Sequence, residues 1–127
     1  MAVNRISTDA NAIDYDSEND SLFFFIKGAE YSHSLNMNNI ILDFNTDQSL
    51  KGVEILNASK KFGVPKHALR NPNQMVLDLD VSEEKIDLKI SLVLRIRNKP
   101  TPKAINIEDI NEFNIPAGTM TMSCGVC

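Results

Sequence analysis

The sequence predicts an α+β protein that is mainly antiparallel β-sheet, arranged as meanders and hairpins of about seven short strands with one or two short helices. Three observations lead there. Met75, Leu77, Leu79 and Val81 alternate with Val76, Asp78 and Asp80, and after Ser82-Glu83-Glu84-Lys85 the alternation resumes from Ile86 through Leu88, Ile90, Leu92 and Leu94 to Ile96. A period of two sustained that long describes a β-hairpin with one buried face. Clusters of Asn, Asp and Ser separate the other apolar runs, and these residues favour turns. Finally, no segment offers the long crossover helix that joins parallel strands.

The elements follow in order. Residues 1 to about 12 hold few apolar anchors and read as a loosely ordered start. Asp16-Ser17-Glu18-Asn19-Asp20 is a turn, and Leu22 to Ile26 is a strand. Its three adjacent phenylalanines place large rings on both faces, as in a strand covered on both sides. Asn36-Met37-Asn38-Asn39 turns the chain into the strand Ile40 to Phe44, and Asn45 to Ser49 turns it back into Leu50 to Leu56. Asn57 can cap a short helix over Ala58 to Phe62 by accepting a free first-turn N–H, with Gly63 ending it in a left-handed conformation. Pro65 opens a second helical turn, His67 to Arg70. Lys99-Pro100-Thr101-Pro102 breaks the long strand, and Ile105 and Ile107 suggest another. Glu108 to Phe113 reads as a helical turn, and Thr119 to Met122 as the last strand.

Composition bounds the class. The chain has 127 residues, 43% of them hydrophobic and 24% charged, which is globular and sufficient for a core without staples. Its longest apolar run, Leu22 to Ile26, is far too short to span a membrane. Met1 to Asp9 lacks an apolar secretory core, so it does not read as a secretory signal. A net charge of −4 disfavours sequence-independent nucleic-acid binding, which needs many cations.

Three segments carry a resemblance. Tyr15-Asp16-x-Glu18-x-Asp20-x-Leu22, the strand Ile41-Leu42-Asp43-Phe44 and the run Gly52-Val53-Glu54-Ile55-Leu56-Asn57-Ala58-Ser59 resemble the DUF2283 family, a prokaryotic domain of unknown function, over about residues 13–64. The resemblance implies a small antiparallel sheet followed by a short helix, in a cytoplasmic protein, and no established activity. It also implies an antitoxin-like partner role for some members. Residues 13–71 are then the family-like hairpins and helix, and 72–127 a hairpin extension packing on the same core, one domain overall.

Candidate chemistry is sparse. Cys124-Gly125-Val126-Cys127 has the spacing of a metal knuckle or redox pair, which His33 and His67, or the tail of a second chain, could complete. The alternative is a frayed end with two thiols. Asp43, Asn45, Asp47 and Glu54 occupy positions 1, 3, 5 and 12 of the EF-hand pattern, but Gln48 replaces its glycine and the flanks are strands. These residues, and Asp14, Asp16, Glu18 and Asp20, read more simply as turn formers. Lys89, Arg95, Arg97, Lys99 and Lys103 make a basic strip. It could hold an acidic partner or RNA phosphate, or protect a strand edge, and the first three would point the same way. His33 and His67 are the only neutral-pH bases by type, and Ser59 lacks the glycines of a nucleophile elbow.

No catalytic, cofactor or metal residue is therefore assigned, and the expected function is a non-catalytic protein-interaction module that forms a homo-oligomer. The motive is the apolar face of Ile86 to Ile96, too long for a small sheet to cover and open to a second chain. The alternative is a metal-binding protein using Cys124 and Cys127 across an oligomer interface.

Overall fold

A computed structural model describes residues 4–112, 115 and 117–124, with side chains from residue 7 onward. Among these the chain is mainly antiparallel β. It has ten strands rather than about seven, one short α-helix and one 3-10 turn. The strands are β1 (Asn4–Asp9), β2 (Ala12–Asp16), β3 (Ser21–Phe25), β4 (His33–Met37), β5 (Ile40–Phe44) and β6 (Leu50–Ile55), then β7 (Gln74–Val81), β8 (Lys85–Ile96), β9 (Lys99–Ile110) and β10 (Gly118–Cys124). Helix α1 is Ala58–Phe62, and the 3-10 turn is Lys66–Leu69.

Two five-stranded sheets result, ordered β2-β3-β6-β5-β4 and β1-β10-β7-β8-β9. We call them the N-terminal and C-terminal sheets. One contiguous core draws on both, from Leu22, Phe24, Leu42 and Ile55 in the first to Leu77, Leu79, Ile90 and Leu92 in the second. Ala58 and Phe62 of α1 join that core, as do Ala68 and Leu69 of the 3-10 turn. The helical segment lies against the second sheet, α1 near β9 and the 3-10 turn near β8.

The alternating hairpin forms as the sequence implies. Met75 to Val81 pair with Leu92 to Ile86, and Ile86, Leu88, Ile90, Leu92 and Leu94 are each no more than 2% exposed. The expectation that this face needs a second chain is corrected. β9 is as long as β8 and pairs with all of it, while the chain's own core covers the apolar face.

Other differences have local causes. Residues 4–9, expected to be loose, form β1, which pairs in parallel with β10. No crossover helix is needed, because almost the whole chain lies between those strands. Pro100 and Pro102 do not break the sheet. They sit within β9, opposite Arg95 and Val93. A proline has no N–H to donate, and an edge strand tolerates it where that N–H would face away from the neighbour. These two, spaced by two, also blunt that edge against further strand addition. The helical turn expected over Glu108 to Phe113 is β9 as far as Ile110, and Phe113 lies outside the described residues. Asn38 and Asn39 (φ 50° and 66°) form the left-handed two-residue turn between β4 and β5, the geometry that matches strand twist.

Because the inner face of β8 is intramolecular, Leu92→Asp should unfold the chain by leaving a charge unpaired in the core. Circular dichroism should lose its cooperative thermal transition. A folded monomer with an unchanged melting temperature would contradict this packing.

Candidate functional site

The family-like residues converge on one carboxylate. Asp20 ends the β2–β3 turn with φ 55° and is 6% exposed, the buried charged side chain among the described residues. Its Oδ1 accepts the Ser59 backbone N–H at 3.0 Å, and its Oδ2 accepts the Ser59 hydroxyl at 2.6 Å. The Tyr15 hydroxyl donates to Oδ1 at 2.7 Å, and the Asp20 carbonyl accepts the Ala58 N–H at 2.9 Å. Two free first-turn N–H groups of α1 are thereby satisfied from a residue 39 positions away. The expectation that Asn57 caps the helix is corrected. Asn57 is itself left-handed (φ 55°) and makes no side-chain cap bond. Gly63 ends the helix as expected, at φ 67°.

Electrostatics follow from this arrangement. Burial pushes the Asp20 carboxyl up, but bonds from the Ser59 hydroxyl, Tyr15 and the Ser59 amide outweigh it, and the net displacement is below the ordinary 3.8. Burial, then the bond to Asp20, raises the Tyr15 phenol, so it stays a donor. Burial lowers the Lys61 ammonium, opposed by the charge of Asp20, and Lys61 donates to the Leu56 carbonyl. Tyr15, Asp20 and Ser59 are thus joined in a structural brace.

The other acidic residues make turns. Asp16 Oδ1 accepts the amides of Glu18 and Asn19 at 3.0 and 3.3 Å. Asp47 accepts both the amide and the hydroxyl of Ser49, and Asp43 accepts the Ser34 hydroxyl. Glu54 lies on β6 opposite Ile41. Among the described residues no group of three or more His, Cys, Asp or Glu could hold a metal ion.

His33 stacks on Phe44 across the β4–β5 pair, with ring centroids 5.0 Å apart. His67 sits on the 3-10 turn. Cys124 is buried at the end of β10, 5% exposed and part of the core, while Cys127 lies outside the described residues.

The basic strip divides. Lys89 lines a cleft of about 410 Å³ on the outer face of the C-terminal sheet, with Asp78, Asp80, Asp87, Asn106 and Glu108. Those acids are engaged as well: Thr119 and Thr121 hydroxyls donate to Asp80 and Asp78, and Lys85 bridges Asp87 and Glu108. Lys103 lies opposite Leu92 on the other face. Arg97 leaves the strand entirely, since it and Asn98 (φ 53° and 61°) form the left-handed turn between β8 and β9. The expectation that Lys89, Arg95 and Arg97 point one way is therefore corrected.

The three phenylalanines also divide. Phe24 points inward, 1% exposed, opposite Val53. Phe23 and Phe25 lie on the outer face, partly exposed and stacked, with centroids 4.6 Å apart. Gly52 of β6 sits beneath them. A Cβ there would come within 3.0 Å of the Phe23 ring, 3.1 Å of the Phe24 carbonyl oxygen and 3.3 Å of the Phe25 Cβ. Ile41 shares this face, and Tyr31 stands beside it, 58% exposed, with Lys51 Nζ 5.6 Å from its ring centroid. The sequence signal was the glycine between Lys51 and Val53, which weakens a strand interior unless another group approaches closely.

The fold and the brace define a small two-sheet β protein whose signature residues hold a helix to a hairpin. Residues 12–59 match the family described as Protein of unknown function (DUF2283). Over 106 residues the chain is 38% identical to a protein of Methanosarcina mazei named "Putative hypoxanthine phosphoribosyltransferase", covering 84% of this chain and 86% of that one. It is 33% identical over 111 residues to an uncharacterised protein of Methanocaldococcus jannaschii, covering 87% of this chain and 96% of that one. No solved structure matches it. The chain belongs to the DUF2283 family.

The brace gives a signed pH dependence. A carboxyl held below its unfolded value stabilises the fold above the ordinary value of 3.8, and that contribution is lost as pH falls through the folded value. Asp20→Asn should destabilise the protein at pH 7 by about 1–3 kcal/mol. The gap from wild type should begin to narrow as pH falls past the ordinary 3.8 and be lost as it falls through the lower folded value, below which both cap groups are neutral. Urea unfolding at pH 7 and pH 3 tests this, and a gap that does not change with pH would contradict it.

Proposed function

We propose that the protein is a non-catalytic interaction module that self-associates through the outer face of its N-terminal sheet. The observation that carries this reading is the stacked Phe23 and Phe25 pair, partly exposed on the outer face of the N-terminal sheet. Stacked rings packed over a glycine, with an isoleucine on the same sheet and a further aromatic just before β4, are suited to a contact surface. Aromatic residues are enriched where protein surfaces meet.

The surround supports a second copy as the occupant. Asp14 and Glu54 flank Phe23 on β2 and β6, while Lys51 lies beside Tyr31. A face carrying both signs can meet itself across a two-fold axis, where each patch contacts the same patch reversed. The outer face of the C-terminal sheet is less suited, because its rows are hydroxyls and carboxylates bonded to one another.

The antitoxin-like reading rests on the family resemblance and gains no separate support here. The metal reading is weakened by Cys124, which is buried in the core and disulfide-bonded rather than a free thiol. The name of the Methanosarcina relative is not carried over. Five glycines in all form no glycine-rich loop of the kind that cradles the phosphates of a nucleotide.

Phe25→Lys should convert the protein to a monomer by size-exclusion chromatography with light scattering, while wild type runs at a whole multiple of 14.2 kDa. Val76→Lys, on the outer face of the other sheet and 39% exposed, should leave the oligomer intact. The opposite pattern, or a monomeric wild type, would contradict the proposal.

A further inference from the structure

We infer that the chain carries an oxyanion site, suited to a phosphate group, between the β8–β9 hairpin tip and the 3-10 turn. A groove of about 390 Å³ there is lined by the side chains of His67, Asn71, Asn73, Arg95, Arg97 and Asn98, together with Ala68. Three separate segments supply these side chains: the 3-10 turn, the loop entering β7, and the end of β8 with its turn.

The chemistry is one-sided. Every polar side chain lining the groove is a donor of N–H bonds or has a donor atom, and none is acidic. This stands out in a chain of net charge −4, whose other outer-face cleft is lined by four carboxylates. Neither arginine makes an ion pair with any described residue, and the three amide side chains and the His67 ring make no hydrogen bond to one. Elsewhere on the same sheet the opposite holds: Asp9, Asp78 and Asp80 are each bonded to a hydroxyl of β10. Two guanidiniums offer paired N–H forks that match the geometry of a phosphate, and the amides add neutral donors around it.

The turn gives a second, independent reason. Arg97 occupies the first central position of a left-handed two-residue turn, at φ 53°. That position favours Asn, Asp or Gly, and a long side chain there is conformationally unfavourable. The backbone geometry is fixed on both sides by the Ile96–Lys99 pairing and by the Asn73 N–H bond to the Val93 carbonyl at 2.8 Å. Arg95 and Arg97 both line the groove from this end of the hairpin. Lys99 and the prolines that follow keep the adjoining edge free of a pairing strand. This inference concerns a different face from the proposed self-association surface and does not depend on it.

The test is a nuclear magnetic resonance titration of the isotopically labelled full chain with inorganic phosphate, at constant ionic strength set by chloride. Saturable shifts are expected at the backbone amides of residues 67–71, 73 and 95–98. The affinity should fall at least about tenfold in R95Q/R97Q, a loss of about 1.4 kcal/mol. R95K/R97K, which keeps the charge without the fork, should be intermediate, and Lys89→Gln should bind like wild type. Parallel titrations with ribose 5-phosphate and with a short RNA distinguish a monoester from a nucleic-acid backbone as the source of the group. Tighter saturable binding of any of the three at these residues supports the site. Linear shifts spread over exposed lysines elsewhere, or equal affinity in R95Q/R97Q with an unchanged melting temperature, would overturn it.

Discussion

The Asp20 carboxylate is the point on which the N-terminal half depends. It lies at the end of a β-turn, in a left-handed conformation that aspartate tolerates better than most residues, and reaches the first turn of a five-residue helix. A helix that short is not stable by itself, because nucleation fixes several residues for few bonds. Here the nucleus is supplied from outside: Asp20 satisfies the amides of Ala58 and Ser59, and Phe62 buries against the core. Tyr15 then ties the carboxylate to β2, and Lys66 Nζ, donating to the Ser17 carbonyl at 3.0 Å, ties the 3-10 turn to the same hairpin. The charge is buried but fully engaged, the condition under which burying it is tolerated. This brace also gives the family signature a physical reading as architecture, which moves the search for function to the surfaces the brace holds in place.

Those surfaces differ in kind. The N-terminal sheet presents stacked aromatic rings on its outer face, seated on Gly52. The C-terminal sheet presents rows of paired hydroxyls and carboxylates, with a donor-rich groove at one end where Arg95 and Arg97 stand unpaired among described residues. A single core joins the sheets, so both faces are held rigidly by one framework. Chemistry on a small, two-sheet scaffold of this type lies on its faces and turns, since the interior is filled by Leu, Ile, Met and Phe.

Much of the fold was legible in the sequence where the physics is local. The alternation through β7 and β8 fixes its own face, since a slip of one residue would expose the whole apolar set. Helix α1 was legible from its boundaries, and Gly63 from the need for a left-handed ending. Strands β1, β2 and β4 were not: β1 and β4 are largely polar, β2 is short with only Ala12, Ile13 and Tyr15 apolar, and each gains its place from a neighbour rather than from its own pattern. Pro100 and Pro102 read as a break because their meaning depends on lying at a sheet edge, which no local pattern reveals. The cap from Asp20 was hidden for the same reason: its partner is 39 residues away. Arg97 looked like the next residue of a strand face, and only the turn conformation of Arg97-Asn98 sends it elsewhere.

The central claim is that two copies meet through the outer face of the N-terminal sheet. The most direct measurement is an isotope-filtered nuclear Overhauser experiment on a mixture of labelled and unlabelled chains, read at the Phe23 and Phe25 rings. The account predicts contacts between chains at those rings, with Tyr31 and Ile41 among their partners. Contacts between chains confined to the C-terminal sheet, or none at concentrations where light scattering reports an oligomer, would contradict it.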